Sequence, residues 1–387
     1  MRINFEMMAL SKDELIRYNR HLVLRDFGVE KQQLLKDARV LVVGAGGLGS
    51  PVLLYLTAAG VGTIGIVDND TVDVSNLQRQ ILFNESQVGQ LKAEAAASNL
   101  RQHNSGIIFQ TYPVRLTAGN VEDVIRNYDV VVDGTDNFPT RYLLNDACVL
   151  LNKPLIYGSI LTYEGQISVF NLFRNGKHSP NYRDLFPVPP DAASVPNCSS
   201  AGVLGVLPGI IGCLQANEAI KIVTGLGDPL SNRLLIIDSL TLEQTIIQYS
   251  DNHARSLIKS LIDYDEFCGV NKEPSNVNNH TPMKEITVQE LKEMMDSGES
   301  FQLIDVREPH EYDICNIDGE LIPQGEIPAN VDRISKDKKV VVHCRSGARS
   351  GNMVQWLEKN HGFTNLHNLK GGILAWAREI DPEMPTY

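Results

Sequence analysis

The feature that most constrains the fold is the stretch from Arg39 to Gly49, RVLVVGAGGLG. An apolar, β-branched run leads into glycines at positions 44, 46, 47 and 49. Residues of helical character follow, with Pro51 near their start, where a helix tolerates proline. Glycines let the backbone approach a phosphate, and the start of a helix offers unpaired N–H groups and the positive end of its dipole. The stretch therefore predicts a strand, a turn and a helix that together hold a phosphate.

An acidic residue ends the second predicted strand, Thr63 to Val67. Asp68 follows this strand directly, where an acid suits the hydroxyls of a ribose. The same pattern is typical of nicotinamide-dependent dehydrogenases. At this point of the chain it indicates a nucleotide without deciding which one.

A polar segment after this strand favours a triphosphate. Residues 75–80 read SNLQRQ, and Lys92 lies at the start of an alanine-rich helix predicted over residues 91–101. Arg79 and Lys92 would neutralise the charge of a triphosphate. The pyrophosphate of a dehydrogenase cofactor needs fewer cations, because helix N–H groups satisfy most of it.

The GTDN sequence at residues 134–137 follows a strand predicted over residues 129–133. Strands that alternate with helices predict a parallel sheet covered on both faces, with ligands beyond the carboxyl ends of the strands. Asp136 is placed to hold Mg²⁺ against phosphate oxygens. It is also placed to cap a helix from Pro139, and the two roles are compatible.

A long proline-rich loop at residues 171–196 leads to the first candidate nucleophile, Cys198. A loop of this length inside a compact domain is usually functional or mobile. Cys198 lies near the start of an apolar helix predicted over residues 203–224, where a thiolate is stabilised. The alternative is an inert buried cysteine, which is the role predicted for Cys148 and Cys213.

Polar residues predict a linker at 251–283, which separates a first domain at 1–250 from a second at 284–387. The second domain restarts an α/β pattern. Cys344 follows a strand predicted at Lys339–His343 and begins CRSGARS, residues 344–350. A cysteine at such a turn faces a nest of backbone N–H groups, and Arg349 adds a positive charge. The cluster predicts an activated thiolate and an anion site together.

Length and charge exclude several other classes. The 387 residues suggest two or three domains, and a net charge of −12 argues against nucleic acid as a main partner. No apolar run is long enough for a membrane span, and no secretory signal is visible. The six cysteines show no paired spacing, which predicts a reducing cytoplasm.

Taken together, the motifs resemble two families. Residues 11–250 resemble the MoeB/ThiF group of ubiquitin-activating-type adenylyltransferases, with a Rossmann-like doubly wound α/β sheet. Residues 284–387 resemble a small α/β rhodanese domain, and the order of the two is that of MoeB-rhodanese fusions. The matching motifs are RYNRH (17–21), GAGGLG (44–49), DND (68–70), SNLQRQ (75–80), Lys92, GTDN (134–137), NCSSAGVLG (197–205), DVREPHEY (305–312), CRSGARS (344–350) and LKGGILAW (369–376).

The resemblance implies an adenylyltransferase and sulfurtransferase that uses MgATP and a ubiquitin-like sulfur carrier ending in Gly-Gly, like MoaD or ThiS. The carrier's terminal carboxylate attacks the α-phosphate, pyrophosphate leaves and an acyl-adenylate forms. Sulfur from a persulfide then displaces AMP and leaves a thiocarboxylate. Molybdopterin, thiamin, tRNA thiolation and cysteine pathways all use similar carriers, and the persulfide sulfur could come from thiosulfate or a cysteine desulfurase.

The resemblance also implies roles for single residues. Gly44, Gly46 and Gly47 would meet the nucleotide, Asp68 the ribose, and Asp136 the Mg²⁺ ion; Asn76, Arg79 and Lys92 would hold phosphates, with Ser75, Leu77, Gln78 and Asn137 in the same motifs. Arg20, otherwise a solvated side chain, would reach the phosphates from the partner subunit of a homodimer formed by the adenylation domain. Cys344 would carry the persulfide, Arg349 would support it, and Cys198 would accept sulfur or the acyl group.

One departure concerns zinc. Many members of the MoeB/ThiF group carry two CxxC pairs that bind structural zinc, whereas this chain has Asn181-Tyr-Arg-Asp184 and Asp251-Asn-His-Ala-Arg255. We therefore expect no zinc site. Three other functions stay open: adenylation alone beside an independent thiosulfate sulfurtransferase, a nicotinamide-dependent oxidoreductase, and a non-catalytic sulfur-binding module on a scaffold.

Overall fold

The computed structural model describes residues 10–190, 202–269 and 283–387. Cys198 therefore lies outside the described residues. The chain forms two compact units, residues 1–273 and 274–387, and each is described by itself.

The first unit is built on a sheet that has eight strands among the described residues, in the order β10-β9-β6-β5-β4-β1-β2-β3. A small hairpin, β7–β8, stands apart from it. The strands are β1 Arg39–Val43, β2 Thr63–Val67, β3 Ile108–Tyr112, β4 Val130–Asp133, β5 Leu155–Leu161, β6 Glu164–Phe170, β7 Phe173–Arg174, β8 Lys177–His178, β9 Arg233–Asp238 and β10 Gln244–Gln248.

Helices cover the sheet, which explains why β2 and β4 are mostly apolar in sequence and buried along their whole length. The long helix Leu207–Thr224 packs on the helix that follows β1 and on β5. The α-helices of this unit are Lys12–Arg17, Asn19–Leu22, Gly28–Asp37, Gly49–Ala59, Lys92–His103, Val121–Ile125, Phe138–Leu150, Tyr182–Leu185, Leu207–Thr224 and Tyr264–Phe267, with 3₁₀ turns at Val74–Asn76, Glu85–Gln87 and Ala254–Leu257.

The sheet is parallel only from β3 to β5. β6, β9 and β10 add to it in antiparallel fashion, so the predicted parallel sheet forms the larger part of a mixed sheet. The reason is local, because only Thr162 and Tyr163 separate β5 from β6, with Thr162 at φ 51°. A connection of two residues can join only antiparallel strands, because parallel strands need a longer crossover. The parallel half carries the predicted nucleotide motifs at the carboxyl ends of its strands.

Part of the segment predicted as a linker packs on the first unit. Tyr264 is buried, and its hydroxyl donates to Asp146 Oδ2 at 2.7 Å. Arg115 donates to both carboxylate oxygens of Asp265 at 2.7 and 2.9 Å. Residues 251–269 therefore form part of the folded unit, and their polar side chains serve as packing partners of its loops.

The second unit has a parallel sheet of five strands within residues 283–387, in the order β11-β15-β14-β12-β13. Its central strand, β14, ends directly before Cys344. The strands are β11 Glu285–Ile286, β12 Phe301–Asp305, β13 Glu320–Leu321, β14 Lys339–His343 and β15 Leu366–Leu369; the α-helices are Val288–Ser297, Pro309–Ile314, Ala348–His361 and Gly372–Glu379, with 3₁₀ turns at Gln324–Ala329 and Val331–Arg333.

Across the described part of the chain, no helix combines the length and the hydropathy that a membrane span requires.

Candidate active sites

The glycine turn after β1 has the shape that its sequence predicts. Gly44 adopts φ +91° and donates its N–H to Val67 O at 2.7 Å. A Cβ atom at Gly44 would lie 2.7 Å from Gly134 O, so only glycine fits there. No side chain caps the helix Gly49–Ala59 within the described structure. The dipole at its start therefore stays available to an anion.

Asp68 fastens this turn. Its Oδ2 accepts the N–H of Ala45 at 2.8 Å, and its Oδ1 accepts the N–H of Asp70 at 2.9 Å. Burial raises the pKa of Asp68 against the opposing effect of these hydrogen bonds. Each carboxylate oxygen keeps a second lone pair, so the geometry leaves room for ribose hydroxyls as well.

Two cations face the same space. Lys92 is almost buried, and its Nζ lies 3.2 Å from Asp70 Oδ2. Arg79 donates to the carbonyl of Ser75 at 3.1 Å, which leaves most of its guanidinium donors free among the described residues. A buried lysine and a largely uncommitted guanidinium that line the same cavity have the charge to hold a polyanion.

Asp136 makes no hydrogen bond or ion pair with any described residue. The capping role that the sequence also allowed for it falls to Asn137, whose Oδ1 accepts the N–H of Thr140 at 3.0 Å. Asn137 is the cap because the helix begins at Phe138 and holds Pro139 in its first turn. No group of three or more His, Cys, Asp or Glu side chains among the described residues is arranged to hold a metal. A single free carboxylate still fits Mg²⁺, which takes one or two carboxylates and completes its shell with phosphates and water.

These side chains line one cavity of about 940 Å³. The predicted residues on its wall are Gly44, Gly46, Gly47, Asp68, Arg79, Lys92, Asp136 and Asn137. Those that do not line it are Arg20, Ser75, Asn76, Leu77 and Gln78. The last four precede Arg79 in a compact turn that Asp73 caps, since its carboxylate accepts the N–H and the hydroxyl of Ser75 at 2.8 and 2.6 Å.

Sequence reasoning missed a buried ion pair under the GTDN loop. Arg141 Nε lies 3.3 Å from Asp133 Oδ2, and its Nη2 donates to the carbonyl of Thr135 at 3.1 Å. Both residues are buried, and Arg141 lines the cavity. The available signal was a charged residue directly before an apolar helical run, at Arg141-Tyr-Leu-Leu. The pair braces the loop that presents Asp136.

Hydrogen bonds occupy the positions at which zinc ligands were considered. Asn181 and Asp184 form a capping box at the helix Tyr182–Leu185. Asp184 Oδ1 accepts the N–H groups of Asn252 and Ala254 at 2.9 and 3.0 Å. Its Oδ2 accepts the N–H of Asn181 at 2.8 Å. We call these contacts the Asp184 clasp. Because both carboxylate oxygens are engaged, this donor set does not fit a zinc ion.

The clasp supports one wall of the cavity. Tyr182, Phe186, Val188 and Pro190 all line the cavity, and all come from the proline-rich loop. Tyr182 and Phe186 pack with ring centroids 4.8 Å apart. The described part of the loop thus adds an apolar wall to the cavity that the charged residues also line.

In the second unit, Cys344 lies at the strand-to-helix turn that was predicted. Its Sγ accepts the N–H of Gly347 at 3.2 Å, and the hydroxyl of Ser350 lies 3.4 Å from the same sulfur. Gly347 adopts φ +94°, a conformation that favours glycine. A backbone donor and a hydroxyl donor therefore contact the sulfur of a cysteine that is only 1% exposed.

The predicted cation of this loop is paired. Glu311 accepts two hydrogen bonds from Arg349, at 2.6 and 2.7 Å. Burial alone would raise the pKa of Glu311, but the Arg349 hydrogen bonds help lower it to about 2. The bonds from Glu311 raise the pKa of Arg349, and the charge of Cys344 acts in the same direction. Arg349 thus lies in the field of the sulfur, with part of its charge balanced by Glu311.

The LKGG turn, residues 369–372, packs against the backbone of the Cys344 loop. A Cβ atom at Gly372 would lie 2.4 Å from the carbonyl oxygen of Cys344, and Ile373 donates its N–H to that same oxygen at 2.9 Å. This close approach explains the glycine at position 372, whose φ is +58°.

A fully buried charged group lies beneath the loop. Arg307 donates to Asp305 Oδ2 at 2.6 Å, and His343 Nε2 lies 3.7 Å from the same oxygen. Burial lowers the pKa of His343 to about 4, so it is neutral at physiological pH. Asp305 and Arg307 belong to the DVRE motif, and His343 is the residue directly before Cys344. Together they fix the base of the loop.

Both units match known protein families. Residues 18–258 match the ThiF family, and residues 287–379 match the rhodanese-like domain.

Similar full-length proteins combine both parts. The probable adenylyltransferase/sulfurtransferase MoeZ of Mycobacterium tuberculosis is 44% identical over 382 residues, which covers 98% of this chain and 97% of the relative. The adenylyltransferase and sulfurtransferase MOCS3-1 of Zea mays is 43% identical over 405 residues, which covers 98% of this chain and 85% of the relative.

Solved structures share the fold of the first unit. E. coli MccB with MccA-N7isoASN superposes with a TM-score of 0.54 at 24% identity, covering 63% of this chain and 74% of that one. E. coli MccB with ATP superposes with a TM-score of 0.51 at 25% identity, covering 58% of this chain and 67% of that one.

Proposed function

The chain belongs to the ThiF family and also carries a rhodanese-like domain, and from this premise we propose that it adenylates and then sulfurates a ubiquitin-like carrier protein. The observation that carries the adenylation step is the free carboxylate of Asp136 in a cavity that Arg79 and Lys92 also line. Relatives at 44% and 43% identity bear the names of both activities, and MccB, whose fold the first unit shares, binds ATP.

The chemistry follows from the poor reactivity of a carboxylate. The carrier's Gly-Gly carboxylate attacks the α-phosphorus of ATP, the bond to the bridging oxygen breaks, and pyrophosphate leaves with the electron pair. An acyl-adenylate, whose AMP is a good leaving group, remains. In this scheme the glycine turn and Asp68 hold the nucleoside, while Arg79 and Lys92 stabilise the charge that develops on the phosphates.

Asp136 is the residue that we propose for Mg²⁺. When bound, the ion would neutralise phosphate charge and strengthen the leaving group. Arg141 and Asp133 contribute by fixing the loop that presents the Asp136 carboxylate, and Asn137 fixes the start of the following helix. Asn76 and its neighbours at 75–78 act through the position of Arg79.

Cys344 carries the second half of the reaction. Its thiolate takes a sulfur atom as a persulfide, Cys–S–S⁻, whose terminal sulfur attacks the acyl-adenylate and releases AMP. Exchange of the resulting acyl disulfide with an external thiol then frees the carrier thiocarboxylate and leaves Cys344 in a mixed disulfide with that thiol. Cys198 remains the candidate to accept sulfur or the acyl group. The N–H of Gly347 and the hydroxyl of Ser350 are within reach of the Cys344 sulfur. Thiosulfate and the persulfide of a cysteine desulfurase are the two donors that we propose.

A carrier is expected to dock beside the mouth of the cavity. Leu161, the last residue of β5, lies on the cavity wall, and Ser239 of the β9–β10 turn donates its N–H to the carbonyl oxygen of Tyr163 in the β5–β6 turn at 2.8 Å. The β9–β10 turn exposes Leu240 and Leu242. This apolar surface is continuous with the β5–β6 turn, and we propose that the folded part of the carrier covers it while its tail enters the cavity.

We propose a homodimer through the first unit. Arg20 is exposed, lies outside the cavity wall, and forms no hydrogen bond or ion pair with any described residue. Ile16, Val23 and Leu24 expose apolar side chains near it in the chain. A second copy would cover these side chains and bring its Arg20 to the phosphates.

The cysteine pattern supports a cytoplasmic location, and molybdenum cofactor synthesis is one of the pathways this activity would serve.

Exchange of labelled pyrophosphate into ATP tests the proposal, with and without purified Gly-Gly carriers of the same genome. We expect exchange that depends on the carrier and falls by about 100-fold or more in Asp136→Ala, as for loss of a charge-stabilising group. Asp123→Ala is the matched control, because Asp123 is exposed and outside the cavity. No exchange with any carrier would refute adenylation.

Carrier mass then separates the two sulfur schemes. With a sulfur donor present, we expect a thiocarboxylate that disappears in Cys344→Ser while pyrophosphate exchange continues. A chain that exchanges pyrophosphate and turns over thiosulfate, yet never forms thiocarboxylate, would instead be an adenylyltransferase with an independent sulfurtransferase domain.

A further inference from the structure

Tyr387 connects the charged residues around the Cys344 loop. Its hydroxyl oxygen lies 2.8 Å from Arg307 Nη1 and 2.9 Å from Glu311 Oε1. Its main-chain oxygen accepts a hydrogen bond from Arg345 Nε at 2.8 Å and a second one from Arg345 Nη2. The guanidinium of Arg345 also stacks over the tyrosine ring, 5.3 Å from its centroid. One side chain and its backbone thus join residues from three parts of the second unit.

The direction of the hydroxyl proton follows from these partners. A guanidinium can only donate, so the tyrosine oxygen accepts from Arg307 and its own proton must point at Glu311. Arg307 is fully buried and held by Asp305, so it cannot turn away. The donated hydrogen bond therefore places Glu311 Oε1, the same oxygen that accepts from Arg349 Nη2 at 2.6 Å.

Tyr387 thus holds two arginines of the loop that starts at Cys344 in position. It holds Arg345 directly through its main-chain oxygen, and it holds Arg349 through Glu311. Arg345 directly follows Cys344, and Arg349 is the last residue of the CRSGAR segment. Both guanidinium groups are only half-buried, so an incoming anion can still reach them.

We propose that Tyr387 is a positioning residue that sets Arg345 and Arg349 to receive an anionic sulfur donor at Cys344. The inference rests on the proposed sulfurtransferase function. With thiosulfate as the donor, the Cys344 thiolate attacks the outer sulfur, the S–S bond of the donor breaks, and sulfite leaves with the electron pair. The charge of the donor and of the departing sulfite must be balanced throughout, which requires both guanidinium groups in place.

Alkylation of Cys344 in the full-length chain tests the inference without any sulfur donor. Iodoacetate is an anion and iodoacetamide is its neutral analogue, so the ratio of their rates at Cys344, measured by peptide mass spectrometry, reports the local positive charge. We expect this ratio to fall about threefold in Tyr387→Phe and about tenfold in Tyr387→Ala, since moving one charge by a few ångströms is worth that much near a protein surface. Tyr312→Phe is the matched control, because the Tyr312 hydroxyl makes no hydrogen bond with a described residue.

If Tyr387 had only a structural role, the two alkylation rates would change in a different way. Loosening of the loop would raise both alkylation rates together and leave their ratio unchanged, which would overturn the inference. Tyr387→Phe guards against misfolding, because it removes one oxygen and keeps the ring. An unchanged ratio in both variants would also overturn the inference.

Turnover separates this inference from the function beneath it. In the thiosulfate-to-cyanide assay we expect Tyr387→Phe to raise KM for thiosulfate about threefold and to change kcat less, since the lost term is charge placement. Absence of sulfur on Cys344 in the wild-type chain with either donor would refute the sulfurtransferase function. The alkylation ratio would still decide whether Tyr387 positions the two arginines.

Discussion

The carboxylate of Asp68 accepts a hydrogen bond of 2.8 Å from the backbone N–H of Ala45, which ties the end of β2 to the turn after β1. The residue expected to bind ribose is therefore also a structural part of the phosphate turn. Its second oxygen fixes Asp70, which in turn lies 3.2 Å from the Lys92 ammonium. One carboxylate thereby sets the relative positions of the turn and of Lys92, the cation that we propose for phosphate binding.

Substitution of Asp68 should impair both ATP binding and stability. Asp68→Ala leaves two backbone N–H groups without their acceptor, and each such bond to a charged group contributes about 1.5–3 kcal/mol. We expect KM for ATP to rise about tenfold or more and the free energy of unfolding to fall by about 3 kcal/mol or more. Asp68→Asn keeps one acceptor and should lie between. Equal unfolding free energies for Ala and wild type would contradict the bracing role.

Two glycines of the turn should respond differently to alanine. At Gly44 a Cβ would meet Gly134 O at 2.7 Å with φ at +91°, whereas at Gly46 the nearest atom lies at 3.6 Å. Gly44→Ala should therefore cost about 2 kcal/mol or more of stability as well as ATP binding. Gly46→Ala should leave the unfolding midpoint nearly unchanged and still lose ATP binding, because its methyl group lines the cavity. Denaturant unfolding and ATP titration measure the two effects, and equal destabilisation by both variants would refute the distinction.

The sequence predicted these features because they are local. A β-branched run, glycines and a following helix occupy consecutive residues, so residues 39–60 could be interpreted without knowledge of the rest of the chain. The same holds for Cys344, whose strand, turn and helix are contiguous. The strand bounds at Thr63–Val67 and Lys339–His343 were predicted to the residue for that reason.

Features that depend on distant pairs were not predictable. Glu311 and Arg349 are 38 positions apart, and nothing in either local sequence identifies the other as its partner. The antiparallel addition of β9 to β6 likewise depends on sheet order. Asp136 shows the intermediate case: its place at the end of β4 was predictable, but the choice of Asn137 as the cap depended on which residue begins the helix.

The ion pair of Glu311 should make stability depend on acid. The pKa of Glu311 is lowered to about 2, with 4.5 as its ordinary value. A lowered carboxyl pKa contributes stability that is complete above the ordinary value and is lost as pH falls toward the folded value. Wild type should therefore be more stable than Glu311→Gln at pH 6, and the difference should shrink as pH falls from about 4.5 toward 2. Urea unfolding across this range measures it, and a difference independent of pH would show that the pair is not the source.

The Asp184 clasp should hold the cavity wall without a metal ion. The Asp184 carboxylate accepts hydrogen bonds from the backbone N–H groups of Asn181, Asn252 and Ala254 and from the side-chain amide of Asn181, so Asp184→Ala removes four acceptor contacts. We expect a loss of about 3 kcal/mol, with Asp184→Asn intermediate because the amide oxygen still accepts. Asp251→Ala is the matched control in the same segment. The Asp251 carboxylate is exposed, and among the described backbone N–H groups it accepts a hydrogen bond only from that of His253. The melting temperature of wild type should not change when a zinc chelator is added. A lower melting temperature in chelator would show that a metal stabilises the chain. Equal losses of unfolding free energy in Asp184→Ala and Asp251→Ala would show that the Asp184 clasp does not support the cavity wall.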